Sequence, residues 1–512
     1  MGEFANQLYQ AATHSYKSNN FVLLISIKFS MVKKVLWACI IALLTVNQLN
    51  ATKTVFKLRV KINGATDTAI FLAHYHGEKQ YVDDTARQEK SGWYTFTADS
   101  IPPGGLYIIA GQKKNRIFEF LMNGETSISF ETQQDNAASN MVVKGSPENE
   151  AFYKYVTFIN KKQKEIEPLQ KAYKRLDKTS DSLELLKKHI TAINDEVQAF
   201  IKASIENNQG TFMAAFIKAS QDPVIPESPK LANGKPDSLF PYRYYKAHFF
   251  DNLDIGDARL LRTPLYHQRL DQYFTKMILQ SPDTVIKETN LLLPMASKSG
   301  DTYRYFIWYL TNYTERSEIM GMDKAFVYLV DNFYTNGKMD FWINKTVKEN
   351  LSKKAKKLTN VLIDAIAPEL IMLDTLMQPV SLHGVKAKLT LLFFWDPTCG
   401  HCKKEVPKLV DFYNKEHERI DLKVFAVCSD TNMAEMKKYI RKSKMNFINV
   451  NGPRTYTPNY HDLYDIYSTP VFYLLDENKR ILAKRLMTDQ LVTFIERYLK
   501  NEKQGQYGIK EE

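Results

Sequence analysis

Cysteine is scarce in this sequence: the chain of 512 residues has four, at positions 39, 399, 402 and 428. So few cysteines cannot form a disulfide network that supports a chain of this length, which excludes a disulfide-stabilised secreted scaffold. Two of them, Cys399 and Cys402, are separated by only two residues. If cysteine has a chemical role in this protein, we expect it at this pair.

The sequence also lacks a strong bias in charge or composition. The net charge of +12 comes from 69 basic and 57 acidic residues that are mixed along the chain. Such mixed stretches are typical of solvated helix faces, so nucleic-acid binding is not expected. The hydrophobic fraction of 44% is that of an ordinary globular protein, and the length requires more than one domain.

A third absence is a membrane-spanning hydrophobic run near the amino terminus. The apolar stretch at 35–46 has 12 residues, short of the roughly 20 that span a bilayer, and it follows two lysines. This pattern predicts a secretory signal peptide within residues 1–51, with translation starting at Met31 and cleavage after Ala51. A lipoprotein modified at Cys39 and an uncleaved anchor are the alternatives, and membrane association is not otherwise predicted.

Three patterns follow one another in the remaining chain and predict three domains. Residues 52–150 alternate apolar and polar positions between turn signals, which predicts an antiparallel all-β domain, either a barrel or a sandwich. Residues 151–370 have apolar positions three and four apart, which predicts a mainly α-helical domain interrupted by a proline-rich loop at 222–241. Residues 371–501 alternate apolar strands with amphipathic helices, so we expect an α/β domain followed by a polar tail at 502–512.

The Cys-x-x-Cys pair lies where an apolar strand, at 389–395, leads into a helix. At a helix N-terminus the unpaired backbone N–H groups and the macrodipole stabilise a thiolate. Cys399 is therefore predicted as the nucleophile and Cys402 as the residue that resolves its adducts. Half of a zinc site is the other interpretation, but the chain has no second Cys-x-x-Cys, so no metal is expected. Cys428 ends an apolar strand and is predicted to be a buried structural thiol.

The stretch FFWDPTCGHCKKEVP resembles the active site of the thioredoxin-like family, and within it the TlpA and ResA type of envelope thiol–disulfide oxidoreductase. The resemblance implies a C-terminal α/β thioredoxin fold and a redox-active disulfide between Cys399 and Cys402. It also implies that Pro470, which follows Thr469, is the cis-proline that faces this disulfide. The family's tryptophan at the strand end matches Trp395.

The same resemblance implies roles for residues around the pair. Gly400 and His401, between the two cysteines, would support the active site, and Glu405 would be a catalytic residue near it. Two positions depart from the pattern: Phe393 stands where thioredoxin has a buried aspartate, and Thr398 stands where a second tryptophan is common. The first departure removes thioredoxin's proton acceptor, which leaves Glu405 or water for that task.

The order of the three domains also resembles a multidomain family of Gram-negative cell-envelope proteins, whose first two domains have no assigned chemistry. This resemblance implies a location in the periplasm or cell envelope. The expected partners are protein thiols and disulfides, together with an upstream electron donor or acceptor. No cofactor is implied beyond the redox-active disulfide, and the oligomeric state is not indicated.

Three functions remain open at this stage. The first is an envelope thiol–disulfide oxidoreductase that acts on protein disulfides, with reduction or isomerisation favoured. The second is a thiol peroxidase of the AhpC/TSA type, although the Pro and the Thr or Ser that its signature requires before the reactive cysteine are Leu392 and Asp396 here. The third is a non-enzymatic envelope binding protein that carries a thioredoxin domain.

Overall fold

The computed structural model describes residues 56–175 and 181–503. The predicted signal peptide at 1–51 and most of the polar tail lie outside these residues. The described residues divide into two compact units, one formed by 56–278 with 291–306 and the other by 279–290 with 307–503. Within these residues, no helix combines the length and the apolar character needed to cross a membrane.

The first region is a β domain of two four-stranded sheets, with strand orders β4-β1-β7-β8 and β3-β2-β5-β6. Residues along β1 alternate between buried and more exposed positions, as expected for a sheet with one face in the core. The eight strands are β1 Phe56–Asn63, β2 Ala69–His76, β3 Lys79–Arg87, β4 Trp93–Ala98, β5 Gly105–Ala110, β6 Arg116–Met122, β7 Ser127–Gln133 and β8 Val142–Lys144.

One pairing in this domain corrects the prediction of an antiparallel fold. Strands β1 and β7 pair in parallel, with Leu58 opposite Ile128 and Val60 opposite Phe130. Period-two alternation reports which face of a strand is buried, and it is the same for both strand directions. The long segment between β1 and β7 allows the crossover that a parallel pair requires.

The second region is helical. Its first helix begins after Ser146, whose hydroxyl accepts a hydrogen bond from the Asn149 backbone N–H (3.2 Å). The helices are α1 Pro147–Tyr173, α2 Asp181–Asn207, α3 Phe212–Ala219, α4 Phe240–Ala247, α5 Ala258–Leu261, α6 Pro264–Gln272, α7 Pro282–Ala296, α8 Gly300–Arg316, α9 Asp323–Leu329 and α10 Lys345–Thr359, with π-helical turns at Tyr273–Met277 and Val330–Thr335.

The proline-rich loop ends slightly earlier than the sequence predicts. Helix α4 already begins at Phe240, and Pro241 occupies its first turn. Proline is tolerated there because the first N–H groups of a helix have no partner within the helix.

The third region is a seven-stranded mixed sheet with strand order β10-β9-β13-β12-β11-β14-β15. Both of its faces are covered, since separate clusters of buried residues pack on either side. Its elements are β9 Ile371–Asp374, β10 Pro379–Ser381, β11 Leu389–Trp395, α11 Gly400–Ile420, β12 Leu422–Cys428, α12 Met433–Ser443, β13 Ile448–Thr455, α13 Tyr460–Leu463, β14 Val471–Leu475, β15 Ile481–Lys484 and α14 Thr488–Lys503.

Strand directions bring several loops of this sheet to one edge. Strands β11, β12 and β13 are parallel, whereas β14 is antiparallel to both β11 and β15. The carboxyl ends of β11, β12 and β15 therefore meet the amino end of β14. We call this the carboxyl edge; it comprises residues 396–399, 429–432, 464–470 and 485–487.

Candidate active site

The first cysteine of the pair lies at the carboxyl edge, at the start of helix α11. Cys399 is the N-cap of this helix, and its sulfur accepts a hydrogen bond from the Cys402 backbone N–H (3.4 Å). Strand β11 is buried along its whole length and leads into the short loop that carries Cys399. The sulfur is thus held at the positive end of a 21-residue helix.

Asp396 orders the loop between β11 and α11. One of its carboxylate oxygens accepts a hydrogen bond from the Thr398 backbone N–H (2.7 Å), and the other accepts one from the Ser429 hydroxyl (2.8 Å). Burial alone would raise the pKa of Asp396, but these hydrogen bonds outweigh it and lower the pKa. A charged carboxylate therefore ties the cysteine loop to the end of β12.

The segment before β14 faces the same sulfur. The Cys399 thiol donates a hydrogen bond to the backbone carbonyl of Thr469 (3.1 Å). The Thr469–Pro470 peptide bond is cis, and Pro470 is buried. The structure thus brings Cys399, Thr469 and Pro470 together across 70 residues of sequence.

The two cysteines of the pair have opposite environments. Cys399 is partly exposed; burial raises the pKa of its thiol, but backbone N–H groups of Cys402 and His401 outweigh this and lower the pKa overall. Cys402 is buried, and burial raises the pKa of its thiol to about 12. At neutral pH a larger fraction of Cys399 than of Cys402 is therefore present as thiolate, and Cys402 is protonated.

Glu405 lies in the second turn of α11, and the hydrogen bonds described for its carboxylate are with Thr488 and Lys408. It accepts hydrogen bonds from the Thr488 backbone N–H (3.0 Å) and from the Lys408 ammonium (3.2 Å). Burial would raise the pKa of Glu405, but these bonds lower it. A carboxylate with a lowered pKa is a weaker base. The proton-accepting role of Glu405 remains a prediction. Its hydrogen bond to the Thr488 backbone connects α11 to the start of α14.

Aromatic side chains of β11 are packed in the core beneath Cys399 and Cys402. Trp395 is fully buried with its ring centroid 5.3 Å from that of Tyr439, and Phe393 stacks on Phe472 at 4.7 Å. An apolar contact thus occupies the position where thioredoxin has an aspartate. Among the described residues, no hydrogen-bond partner is found for the buried Trp395 indole nitrogen.

The two residues between the cysteines are exposed. Gly400 begins α11, and a Cβ atom there would meet nothing within 4 Å, so steric crowding does not require glycine. His401 is exposed as well, and its contribution to the site in the described contacts is its backbone N–H. The supporting roles of both side chains remain predictions.

Cys428 lies close to the pair in the sheet but in a different setting. It is buried at the end of β12, directly opposite Trp395, and burial raises the pKa of its thiol to about 12.

Within the part of the chain that the structure describes, no group of three or more His, Cys, Asp or Glu side chains could hold a metal. The contribution of Asp396 was missed in the sequence, although an aspartate whose carboxylate accepts a hydrogen bond from the backbone N–H two residues later is typical of an Asx turn.

A partly exposed sulfur of lowered pKa at a helix N-terminus, beside a buried second thiol, is an arrangement built for disulfide exchange. On a sheet of this topology it defines a thioredoxin-fold enzyme of the thiol–disulfide oxidoreductase class. Comparison with known proteins agrees with this class. Residues 363–484 match the AhpC/TSA family.

Similar proteins carry the same class in their names. Over 137 residues the chain is 24% identical to the thiol-disulfide oxidoreductase ResA of Bacillus thuringiensis subsp. konkukian, covering 26% of this chain and 75% of the relative. It is 40% identical to a solved domain of a possible thiol-disulfide isomerase from Cytophaga hutchinsonii, covering 28% of this chain and 97% of that domain, with a TM-score of 0.27. The C-terminal domain is therefore similar to the TlpA/ResA-like thioredoxin-fold proteins.

The rest of the chain matches families without a known activity. Residues 56–152 match the domain of unknown function DUF4369, and residues 195–357 match the domain of unknown function DUF5106. A solved thioredoxin-like protein from Bacteroides caccae is 17% identical, covering 53% of this chain and 97% of its own, with a TM-score of 0.41. The predicted order of a β domain, a helical domain and a thioredoxin-like domain is confirmed.

Proposed function

We propose that this protein is a cell-envelope thiol–disulfide oxidoreductase that reduces or isomerises disulfides in other proteins through Cys399 and Cys402. The observation that carries the proposal is the difference between the two sulfurs. Cys399 is reachable and has a lowered pKa, whereas Cys402 is buried and protonated. A nucleophile and a resolving thiol require this division of roles.

The reaction proceeds in two exchanges. The Cys399 thiolate attacks one sulfur of a substrate disulfide, a new S–S bond forms, and the other substrate sulfur leaves as a thiolate that takes up a proton. Cys402 then loses its proton and attacks the Cys399 sulfur, which releases the second substrate thiolate. The second substrate thiolate takes up the proton that Cys402 lost, so the substrate gains two electrons and two protons, one from Cys402 and one from solvent, and the enzyme is left with a Cys399–Cys402 disulfide.

The backbone around the pair supports these steps. The N–H groups at the start of α11 stabilise negative charge on Cys399 in the reduced enzyme and again when it becomes the leaving group. The Thr469 carbonyl, 3.1 Å from the same sulfur, restricts where a substrate disulfide can approach. No cofactor is needed beyond the dithiol, but an upstream electron donor must restore it in a reductase.

The envelope location is proposed from the predicted signal peptide, and fractionation of cells that produce the full chain tests it. The direction of electron flow is tested by the equilibrium potential of the Cys399–Cys402 pair against glutathione. We expect a value below about −150 mV, because oxidising members of this chemistry lie near −120 mV and reducing ones near −270 mV. A higher value would contradict reduction as the function.

The exchange itself is tested by trapping. In the Cys402→Ser variant the second step is blocked, so incubation with oxidised insulin should leave a mixed disulfide on Cys399 that dithiothreitol releases. The matched control, Cys399→Ser, keeps the buried thiol and should form no adduct. Folded Cys402→Ser protein without an adduct would refute the proposal, and rapid peroxide consumption by the reduced wild type would favour the peroxidase alternative.

A further inference from the structure

Four exposed apolar side chains lie on two neighbouring parts of the second compact unit. Tyr467 and Met487, on the carboxyl edge, are 74% and 41% exposed, and Ile319 and Met320, in the loop between α8 and α9, are 39% and 37% exposed. We call these four residues the apolar patch. Exposed apolar residues that cluster near a reactive group are more informative than ones scattered singly, because clusters mark interaction sites.

The loop between α8 and α9 is fixed against the thioredoxin-like sheet. The Met320 sulfur accepts a hydrogen bond from the Lys484 backbone N–H (3.5 Å), at the end of strand β15. The buried Lys484 ammonium pairs with the Asp323 carboxylate and donates a hydrogen bond to the Val361 carbonyl (2.6 Å). Breaking a buried pair leaves an uncompensated charge, so this contact keeps the helical loop at the carboxyl edge.

A chain of contacts then leads from β15 to the reactive sulfur. Arg485, next to Lys484, pairs with the buried carboxylate of Asp465, in the segment 464–470 that ends at the cis-proline. Tyr467 lies in that segment. Burial raises the pKa of its hydroxyl, and the nearby carboxylates of Asp465 and of Glu315, at the end of α8, raise it further. Two residues further on, the Thr469 carbonyl contacts Cys399.

The other side of the patch is positioned by Glu405. Its carboxylate accepts the hydrogen bond from the Thr488 backbone N–H, which holds the turn containing Met487 against the second turn of α11. This contact gives Glu405 a positioning role that does not require it to exchange protons. These contacts therefore connect both parts of the apolar patch to the segments that position Cys399.

We propose that the loop between α8 and α9 completes the docking surface for the substrate, which is a polypeptide segment with apolar side chains on either side of its disulfide. The proposal rests on the disulfide-exchange function above and adds the helical domain to the site. A polypeptide disulfide that reaches Cys399 brings its flanking residues over the carboxyl edge, where Tyr467 and Met487 of the patch lie next to the loop between α8 and α9. Methionine side chains adapt to differently shaped apolar partners, which suits an enzyme with several substrates.

Two single substitutions test the proposal in the full, prereduced chain: Ile319→Ser in the helical loop and Tyr467→Ser beside the cis-proline. The second-order rate of disulfide reduction is measured with insulin, an apolar polypeptide disulfide, and with the small disulfide dithiobis(nitrobenzoate). Leu376→Ser is the matched control, because Leu376 is 77% exposed in the turn between β9 and β10, at the opposite edge of the sheet.

We expect each patch variant to reduce insulin about fivefold to tenfold more slowly, since truncating one well-placed apolar contact costs about a factor of ten in affinity. The rate with the small disulfide should not change, and Leu376→Ser should match the wild type with both probes. The same pattern from both substitutions, on loops of different domains, would support a shared surface.

Several results would overturn the proposal. Unchanged insulin rates in Ile319→Ser would remove the helical loop from the surface. An equal loss with both probes would place the effect on the dithiol instead of on docking, and a change of oligomeric state in sedimentation would assign the patch to a second copy of the chain. A wild type that reduces neither probe would refute the proposed function itself, a result distinct from all of these.

Discussion

The two sheet-containing regions differ in one respect: among the described residues, the cysteines all lie in the C-terminal region. In the N-terminal domain, strand β1 alternates between buried and more exposed positions, whereas every residue of β11 in the C-terminal domain is buried. The second pattern arises because both faces of the C-terminal sheet are covered, one by helices α11, α12 and α14 and the other mainly by connecting segments and the short helix α13. A helix that follows a buried strand directs its N-terminus to the edge of the sheet, and Cys399 occupies that position.

Charged groups differ in the same way between the two regions. In the N-terminal domain His74 pairs with Asp83 (2.8 Å) across the β2–β3 hairpin, in the middle of the strands. In the C-terminal domain Asp396 follows the strand and binds the loop that carries the reactive sulfur. A polar side-chain contact on the face of a sheet stabilises strand pairing, whereas a carboxylate at a strand end can position the loop that follows it.

The largest expected effect contrasts the two thiols of the C-terminal site. Iodoacetamide at pH 7 should modify Cys399 at least a thousandfold faster than Cys402, because a thiol whose pKa is about 12 has about one part in 10⁵ as thiolate. Because the pKa of Cys399 is lowered, its alkylation rate should rise at lower pH than that of an ordinary cysteine. Above the pKa of Cys399 the rate should become constant.

Mass spectrometry of the reduced protein, quenched at a series of pH values, measures both rates. The Cys399→Ser variant provides the rate of Cys402 alone. Comparable modification of the two cysteines in the folded wild type would show that the environments are not as different as burial and hydrogen bonding require.

A second prediction compares the cores of the two regions. Phe120 in β6 and Phe393 in β11 are both fully buried against another phenylalanine, with ring centroids 4.9 Å from Phe130 and 4.7 Å from Phe472. Replacing either with alanine should lower the free energy of unfolding of its own region by about 3–5 kcal/mol. Only Phe393→Ala should also change the alkylation rate of Cys399, because Phe393 packs in the same core cluster as Cys402.

Calorimetry on the two variants measures the stability change, and iodoacetamide kinetics measures the effect on the site. The Phe120→Ala protein is the control for a general loss of stability. A slower Cys399 in that variant, under conditions where the C-terminal domain is folded, would mean that the reactivity depends on the N-terminal domain.

The parts of the site that are close in sequence could be predicted from it. The Cys-x-x-Cys pair follows a strongly apolar strand and precedes an amphipathic helix, so the helix N-terminus at Cys399 is encoded within about a dozen residues. The pairing of this loop with Thr469 and Pro470 depended on resemblance to a family, because no local pattern connects positions 70 residues apart.

Contacts between distant segments could not be predicted. The parallel pairing of β1 with β7 depends on the packing of two sheets, and alternation alone does not encode strand direction. The contact between Lys484 and Asp323 joins residues 161 positions apart, in regions whose sequences each predict a separate domain. The positioning contact of Glu405 with Thr488 was likewise hidden, since the two residues lie 83 positions apart in the sequence.

The smallest expected effect concerns Cys428, which has the burial of Cys402 without its place beside a helix N-terminus. Cys428→Ala should lower the stability by about 1 kcal/mol, the cost of removing one buried group of this size, and should leave insulin reduction unchanged. Chemical denaturation and the insulin assay measure the two quantities, with Cys402→Ala as the matched change at a working thiol. Loss of activity in Cys428→Ala would give Cys428 a redox role, and burial in this sheet would then not be enough to make a thiol inert.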